Sequence, residues 1–160
     1  MNARLNPMTA APKLMGDFQR TSIAINSSLD PGLVELVEIR ASQINGCANC
    51  INIHAWSARQ NGETEQRVYL LSAWREAPCY SERERAALGW TEALTRLSDV
   101  HSHEGAYEAM RAHFSEEECV KLTLAIVVIN GWNRIALGCG GFVDPAALKA
   151  QALAKSAVAQ

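Results

Sequence analysis

The sequence predicts an all-α fold, a single-domain helical bundle over residues 1–160. Three observations carry that expectation. Apolar residues recur at helical spacing, as in Leu33, Leu36, Val37, Ala41 and Ile44. The periodic segments are bracketed by helix start and stop residues. No segment alternates apolar and polar residues over a strand's length.

The elements follow in order. Residues 1–28 are less regular, and Leu14, Met15 and Phe18 allow a short helix or packed arm. Asp30-Pro31 supplies an N-cap and a proline at the first helical position. Asn45-Gly46 ends that helix, because both residues tolerate a left-handed backbone. A second helix starts around Cys47 and runs to Arg59, with Asn61-Gly62 as its stop. Thr64 caps a third, reaching about Glu76, and Pro78 breaks it. Ser81 to Glu84 is a capping box whose helix carries Ala86, Leu88, Trp90, Ala93, Leu94 and Leu97. His101 to Gly105 reads as a loop and Tyr107 to His113 as a short helix. Ser115 to Glu118 is a second capping box, followed by a long helix over Val120 to Leu137. That helix is apolar nearly all round from Leu122 to Ile129 and is expected to be central and buried. Gly138, Gly140 and Gly141 end it, and Asp144-Pro145 opens a last helix rich in Ala and Leu.

Composition narrows the function classes. A chain of 160 residues can bury a real core, and 48% hydrophobic with 20% charged residues is ordinary for a globular protein. The net charge of -2 gives no electrostatic footprint for nucleic acid. Met1 to Ala10 has one Arg and no apolar core, so no secretory signal is expected. The longest strongly apolar run, Leu124 to Ile129, falls far short of the roughly 20 residues a membrane span needs. The five cysteines are odd in number, which argues against a secreted disulfide framework. A reducing, cytoplasmic setting is expected, where a close cysteine pair is more often catalytic or metal-binding than structural.

The working site is expected at Cys47-Ala48-Asn49-Cys50 with His54. Residues three and four apart share a helix face, so Cys47, Cys50 and His54 line up near a helix start. Unpaired backbone N–H groups there favour a thiolate, and thiol reactivity follows the thiolate population. An adjacent imidazole can accept the thiol proton and then hold the anion as an ion pair. A second cysteine lets a sulfenic acid resolve into an intramolecular disulfide. A histidine in this role is commonly oriented by a carboxylate. Glu35 and Glu38 lie on the preceding helix, and antiparallel pairing of the two helices brings one of them to His54; spacing does not choose between them. On these grounds Cys47, nearer the helix start, is the expected nucleophile.

Plainer readings exist for each residue. A lone C-x-x-C also fits two buried small residues. Zinc would take Cys47, Cys50 and His54, with a fourth ligand from Cys79, His101 or His103. The cluster lacks the usual second pair of ligands, so no metal and no cofactor is expected. Trp56, Trp74, Trp90 and Trp132 read as core or interface anchors. Cys79, Cys119 and Cys139 read as small buried hydrophobes. Asn130-Gly131-Trp132-Asn133-Arg134 is polar for a buried helix and marks a subunit contact or the site.

Glu35, Cys47-Ala48-Asn49-Cys50 and His54 together resemble the alkylhydroperoxidase D-like members of the carboxymuconolactone decarboxylase superfamily. That family places a Glu twelve residues before the first Cys and a His four residues after the second, and these intervals match. Residues 38–46, 58–63 and 81–86 are also similar, and the resemblance covers roughly residues 25–137. It implies an all-α fold with a helical hairpin carrying the site, and a homo-oligomer, often a trimer or hexamer. It implies peroxide reduction: Cys50 as peroxidatic cysteine, Cys47 as resolving cysteine, Glu35 and His54 as proton relay. The reductant would be a dithiol donor, a lipoyl-type adaptor or a thioredoxin-like protein. One position departs from the pattern: some peroxidase members carry His directly before the second Cys, where Asn49 stands here. Decarboxylase members lack the cysteine pair, so its presence argues against a non-redox, carboxymuconolactone-type enzyme.

Overall fold

The computed structural model describes residues 4–99, 103–141, 143, 144 and 147. Its regular elements among these residues are helical. They are α1 (Pro7–Ala10), α2 (Pro12–Asn26), α3 (Pro31–Asn45), α4 (Ala48–Gln60), α5 (Glu65–Leu70), α6 (Glu82–Thr95), α7 (Glu104–His113) and α8 (Glu116–Cys139). A 3-10 turn, Leu71–Ala73, follows α5.

The caps fall where the residues place them. Asp30 accepts a hydrogen bond from the Leu33 N–H, and Pro31 opens α3. Gly46, at φ 66°, closes α3 and lets the chain reverse directly into α4. Ser81 with Glu84, and Ser115 with Glu118, form reciprocal capping boxes at α6 and α8.

Helix α3 is the hub, packed against α4, α6 and α8. Its Leu33 and Val37 join a cluster with Trp90, Met110, Phe114, Leu122 and Ile126. Leu36 and Ile39 join a second cluster with Ala58, Leu71, Trp74 and Leu88. Ala41 reaches a third, smaller cluster of Cys47, Cys50 and Ile129, flanked by Trp132 and Ala136. The candidate thiols are therefore core residues at the junction of α3, α4 and α8.

Three expectations need correction, and one is extended. The helix allowed by Leu14, Met15 and Phe18 is α2, 15 residues long, and Phe18 packs at a tilt 4.8 Å from Trp132 over Gly131. A methyl group at Gly131 would meet the Phe18 ring at 2.9 Å, so a glycine permits this crossing. The third helix stops at Leu70 rather than Glu76, because the 3-10 turn swings Leu71 and Trp74 inward. Glu104 and Gly105, expected in a loop, form the first turn of α7. Helix α8 is not buried all round: Leu124 is 43% and Val127 59% exposed, while Leu122, Ala125, Ile126 and Ile129 face the core. By length and composition α8 also passes for a membrane span, with mean hydropathy 1.4, but its apolar stripe is occupied by α3, α6 and α2. His101 and most of the expected last helix lie outside the described residues.

Candidate functional site

The site grows from the α3–α4 hairpin. The Cys47 N–H donates to the Ser42 carbonyl at 2.9 Å, which fixes Cys47 as the N-cap of α4. Its side chain makes no cap to the backbone; Cys47 Sγ instead donates to Cys50 Sγ at 2.8 Å. Both cysteines carry free thiols, and they are only 1% and 5% exposed.

One turn on, His54 Nδ1 lies 3.0 Å from Glu35 Oε2 and 3.0 Å from Glu38 Oε2. The alternative left open by spacing is resolved by both carboxylates contacting the ring. Each is itself held: Ser57 Oγ donates to Glu35 Oε1, and Asn26 Nδ2 on α2 donates to Glu38 Oε1 at 2.9 Å. Burial opposes a charge on His54, but its hydrogen bonds to Glu35 and Glu38 outweigh that and raise it to about 10. His54 is thus an imidazolium at neutral pH. A ring held in that form has a proton to give rather than a lone pair to take one.

Cys50 moves the other way for reactivity. Burial pushes its thiol up to about 12, helped by Cys47 and the Glu38 charge. A hydrogen bond from Asn133 opposes the rise. Asn133 is fully buried, with its amide tied to Ser42 Oγ at 2.9 Å and its Oδ1 to Asn45 Nδ2 at 2.7 Å.

Two cavities of about 340 Å³ flank the pair. One is lined by Cys50 and Trp132 together with the polar side chains of His54, Glu38, Asn26 and Gln19. The other meets Cys47, with Gly46, Ala48, Ala136, Leu137 and Gly140 around it, and is largely apolar. Asn49 borders both. Its Oδ1 accepts the Val143 N–H at 2.7 Å, while Asn52 Nδ2 donates to the Val143 carbonyl at 2.9 Å. The residue that departs from the family pattern thus anchors backbone.

The zinc ligand set does not assemble. Among the described residues, the donor group gathered within 4.8 Å is Glu35, Glu38 and His54, with neither cysteine. With both carboxylates ionised, Nδ1 at 3.0 Å from each donates its proton to them. His101 lies outside the described residues.

Sequence reasoning missed Asn26, Ser57 and the thiol-facing role of Asn133. Only Asn133 had a signal, the polar run in an otherwise apolar helix. Trp132, read as an anchor, also lines the Cys50 cavity and donates to Ser22 Oγ at 3.0 Å. Cys119 is buried as expected; Cys79 and Cys139 are half-buried.

Comparison with known proteins agrees with this architecture. Residues 10–93 match the carboxymuconolactone decarboxylase family. An uncharacterized protein of Bacillus subtilis (strain 168), YdfG, is 41% identical over 143 residues, covering 88% of this chain and 96% of its own. A crystal structure of a protein of unknown function from Agrobacterium tumefaciens, for which an AhpD role in antioxidant defence has been suggested, superposes with a TM-score of 0.86 at 42% identity. That match covers 89% of this chain and 99% of the other. An uncharacterized peroxidase-related protein with an alkylhydroperoxidase AhpD core, from Ralstonia eutropha JMP134, shares the fold at 21% identity and a TM-score of 0.76, over 88% of this chain and 76% of the other. With the hairpin, the cysteine pair and these matches in agreement, the chain belongs to the carboxymuconolactone decarboxylase family, as an AhpD-like member.

Proposed function

We propose that this protein is a thiol-dependent peroxidase that reduces organic or hydrogen peroxide by a dithiol–disulfide cycle on Cys47 and Cys50. The observation that carries the reading is two free thiols with sulfurs 2.8 Å apart, one of them sharing a cavity with an imidazolium. In the first step the Cys50 thiolate attacks the terminal peroxide oxygen. The S–O bond forms as the O–O bond breaks. The departing alkoxide takes a proton from His54 and leaves as the alcohol, or as water from hydrogen peroxide. The proton Cys50 lost on ionising replaces the one His54 gives. In the second step the Cys47 sulfur attacks Cys50 sulfur, the S–S bond forms, and the hydroxyl leaves as water with the Cys47 proton. The thiols lose two electrons in all and the peroxide gains them.

Cys50 is the nucleophile in this reading because it shares a cavity with His54, whereas Cys47 faces apolar walls. Glu35 holds the ring of His54. A dithiol donor, a lipoyl-type adaptor or a thioredoxin-like protein, restores the thiols by exchange. A cytoplasmic homo-oligomer, trimer or hexamer, completes the proposal.

The test is a free-thiol count on reduced protein before and after one equivalent of an organic hydroperoxide. Loss of the Cys47 and Cys50 thiols is expected, absent in Cys50→Ser. In Cys47→Ser the reaction should stop at a sulfenic acid on Cys50, trapped by a dione probe. A sulfenic acid on Cys47 in the Cys50→Ser protein would reverse the two roles. No thiol loss in the unaltered protein would overturn the reading.

A further inference from the structure

A histidine in a relay of this kind needs one carboxylate, and the proposed function uses Glu35. The structure supplies two. Glu38 Oε2 is as close to His54 Nδ1 as Glu35 Oε2 is, 3.0 Å in each case. The two differ in where they look. Glu35 is tied back to Ser57 on α4 and does not line the Cys50 cavity, whereas Glu38 does, beside Cys50 and His54. Glu38 is also the more deeply set, with its side chain 4% exposed against 12% for Glu35. A buried carboxylate with no partner would be costly, and Glu38 has two: the His54 ring and the Asn26 amide from α2.

We propose that Glu38 is a positioning residue, the second anchor of His54, and that with Glu35 it fixes the ring as an imidazolium facing Cys50. The proposal rests on the peroxidase reading for its purpose but not for its geometry. A neutral imidazole placed between the two carboxylates leaves two negative charges uncompensated on α3. A protonated ring offsets one of them and shares its Nδ1 proton between both. Among the described residues lining the cavity, no other group is charged. Helix α2 presents Gln19 and Asn26 to the cavity, and α8 presents Trp132 and Ala136, all uncharged. On α4 itself the neighbours are the Cys50 thiol, Asn49 and Ile53. The charge that meets His54 therefore comes from α3 alone.

The consequence is a division of labour on one helix face. Glu35, braced by Ser57, orients the ring. Glu38, braced by Asn26, adds a second negative charge at Nδ1 and lines the Cys50 cavity beside the ring. The Nδ1 side is then closed to proton exchange, and Nε2 is left to face a departing oxygen. Helix α2 becomes part of the site through Asn26.

The experiment follows His54 directly. The reduced, full-length protein is labelled with nitrogen-15 at histidine, and ring proton–nitrogen correlations are recorded from about pH 6 to about pH 10.5. A His54→Gln sample assigns the signals. Both His54 ring nitrogens should stay protonated to beyond about pH 9 in the unaltered protein. Glu38→Gln, which keeps the shape and an acceptor oxygen, should bring the titration down by at least about one pH unit. A purely structural role for Glu38 would leave it in place. A neutral His54 at about pH 8.5 in the unaltered protein overturns the proposal and needs no variant to fold; so does a Glu38→Gln titration within about a third of a unit of the original. Peroxide turnover is measured on the same samples. An inactive protein with a charged His54 overturns the peroxidase reading alone. An active protein with a neutral His54 overturns the role of Glu38 and the proton donation assigned to His54, and leaves the dithiol cycle standing.

Discussion

Cys50 sits in a conflict that sets its pH behaviour. Burial, Cys47 and Glu38 all favour its thiol, to about 12, and the Asn133 hydrogen bond favours the thiolate. Below that value the thiolate fraction grows about tenfold with each pH unit. His54, held charged to about 10, remains a proton donor over the same range. Peroxide-driven thiol loss, followed by stopped-flow at fixed peroxide, should therefore speed up about tenfold per unit from about pH 6 to about pH 9. A flat profile would mean that the attacking thiol is already ionised at neutral pH, and that burial does not hold Cys50 protonated. At this scale the sequence was informative about spacing and silent about surroundings. Three- and four-residue intervals put Cys47, Cys50 and His54 on one helix face and a carboxylate opposite. They carry no sign of the partners that decide ionisation, because Asn26, Asn133 and Trp132 arrive from helices distant in the chain. The helix-start argument favoured Cys47 on the backbone field alone. It had no access to the cavity that Cys50 shares with His54.

Helix α3 shows why some elements were legible and others were not. Its ends were plain from Asp30-Pro31 and Asn45-Gly46, since caps are local chemistry. Its interior is buried on several faces, which frees polar positions for internal use. Glu35 and Glu38 serve His54, and Arg40 on the same helix pairs with Glu92 of α6 at 2.7 Å. Glu92 also accepts from Trp74 Nε1 at 2.8 Å and from Arg75. Both Arg40 and Glu92 side chains are nine-tenths or more buried, so neither can turn to water if the other is lost. Glu92→Ala should cost about 3–5 kcal/mol of stability by leaving the guanidinium uncompensated. Urea titration would show this as a lower midpoint with an unchanged slope. A loss below about 1 kcal/mol would mean that Arg40 finds another partner, and the pair would not be what joins α3 to α6. The same tertiary logic cut α5 short. Helical periodicity continued past Leu70, but Leu71 and Trp74 are needed against Leu36 and Ile39, and a 3-10 turn delivers them. It also explains α8: an apolar run reads as buried all round, yet only the stripe facing α3, α6 and α2 is covered.

At the scale of the whole molecule, both ends of the described chain converge on the cysteine pair. Arg4 donates from its backbone to the Cys139 carbonyl at 2.8 Å and from its guanidinium to the Gly138 carbonyl at 3.1 Å, covering carbonyls that the end of α8 leaves open. Gly140, at φ 74°, turns the chain off α8, and Val143 is then gripped on both backbone sides by Asn49 and Asn52 of α4. Leu137, Gly140 and Gly141 wall the cavity at Cys47. In the peroxidase proposed here, the two bonds to Val143 are expected to limit access to Cys47, whose cavity Gly140 and Gly141 wall. An imidazole at position 49 would be a proton carrier; the amide found there is a clamp. Asn49→Ala removes one hydrogen bond of about 0.5–1.5 kcal/mol, which corresponds to roughly two- to twelvefold more opening. Amide exchange at Val143 should quicken by that factor, and alkylation of Cys47 by a bulky maleimide should quicken with it. Cys50, on the other cavity, should change less. Faster exchange without faster alkylation would show that access to Cys47 does not run past this segment. Unchanged exchange would show that Asn52 alone holds it, and the amide at 49 would then have no part in the closure.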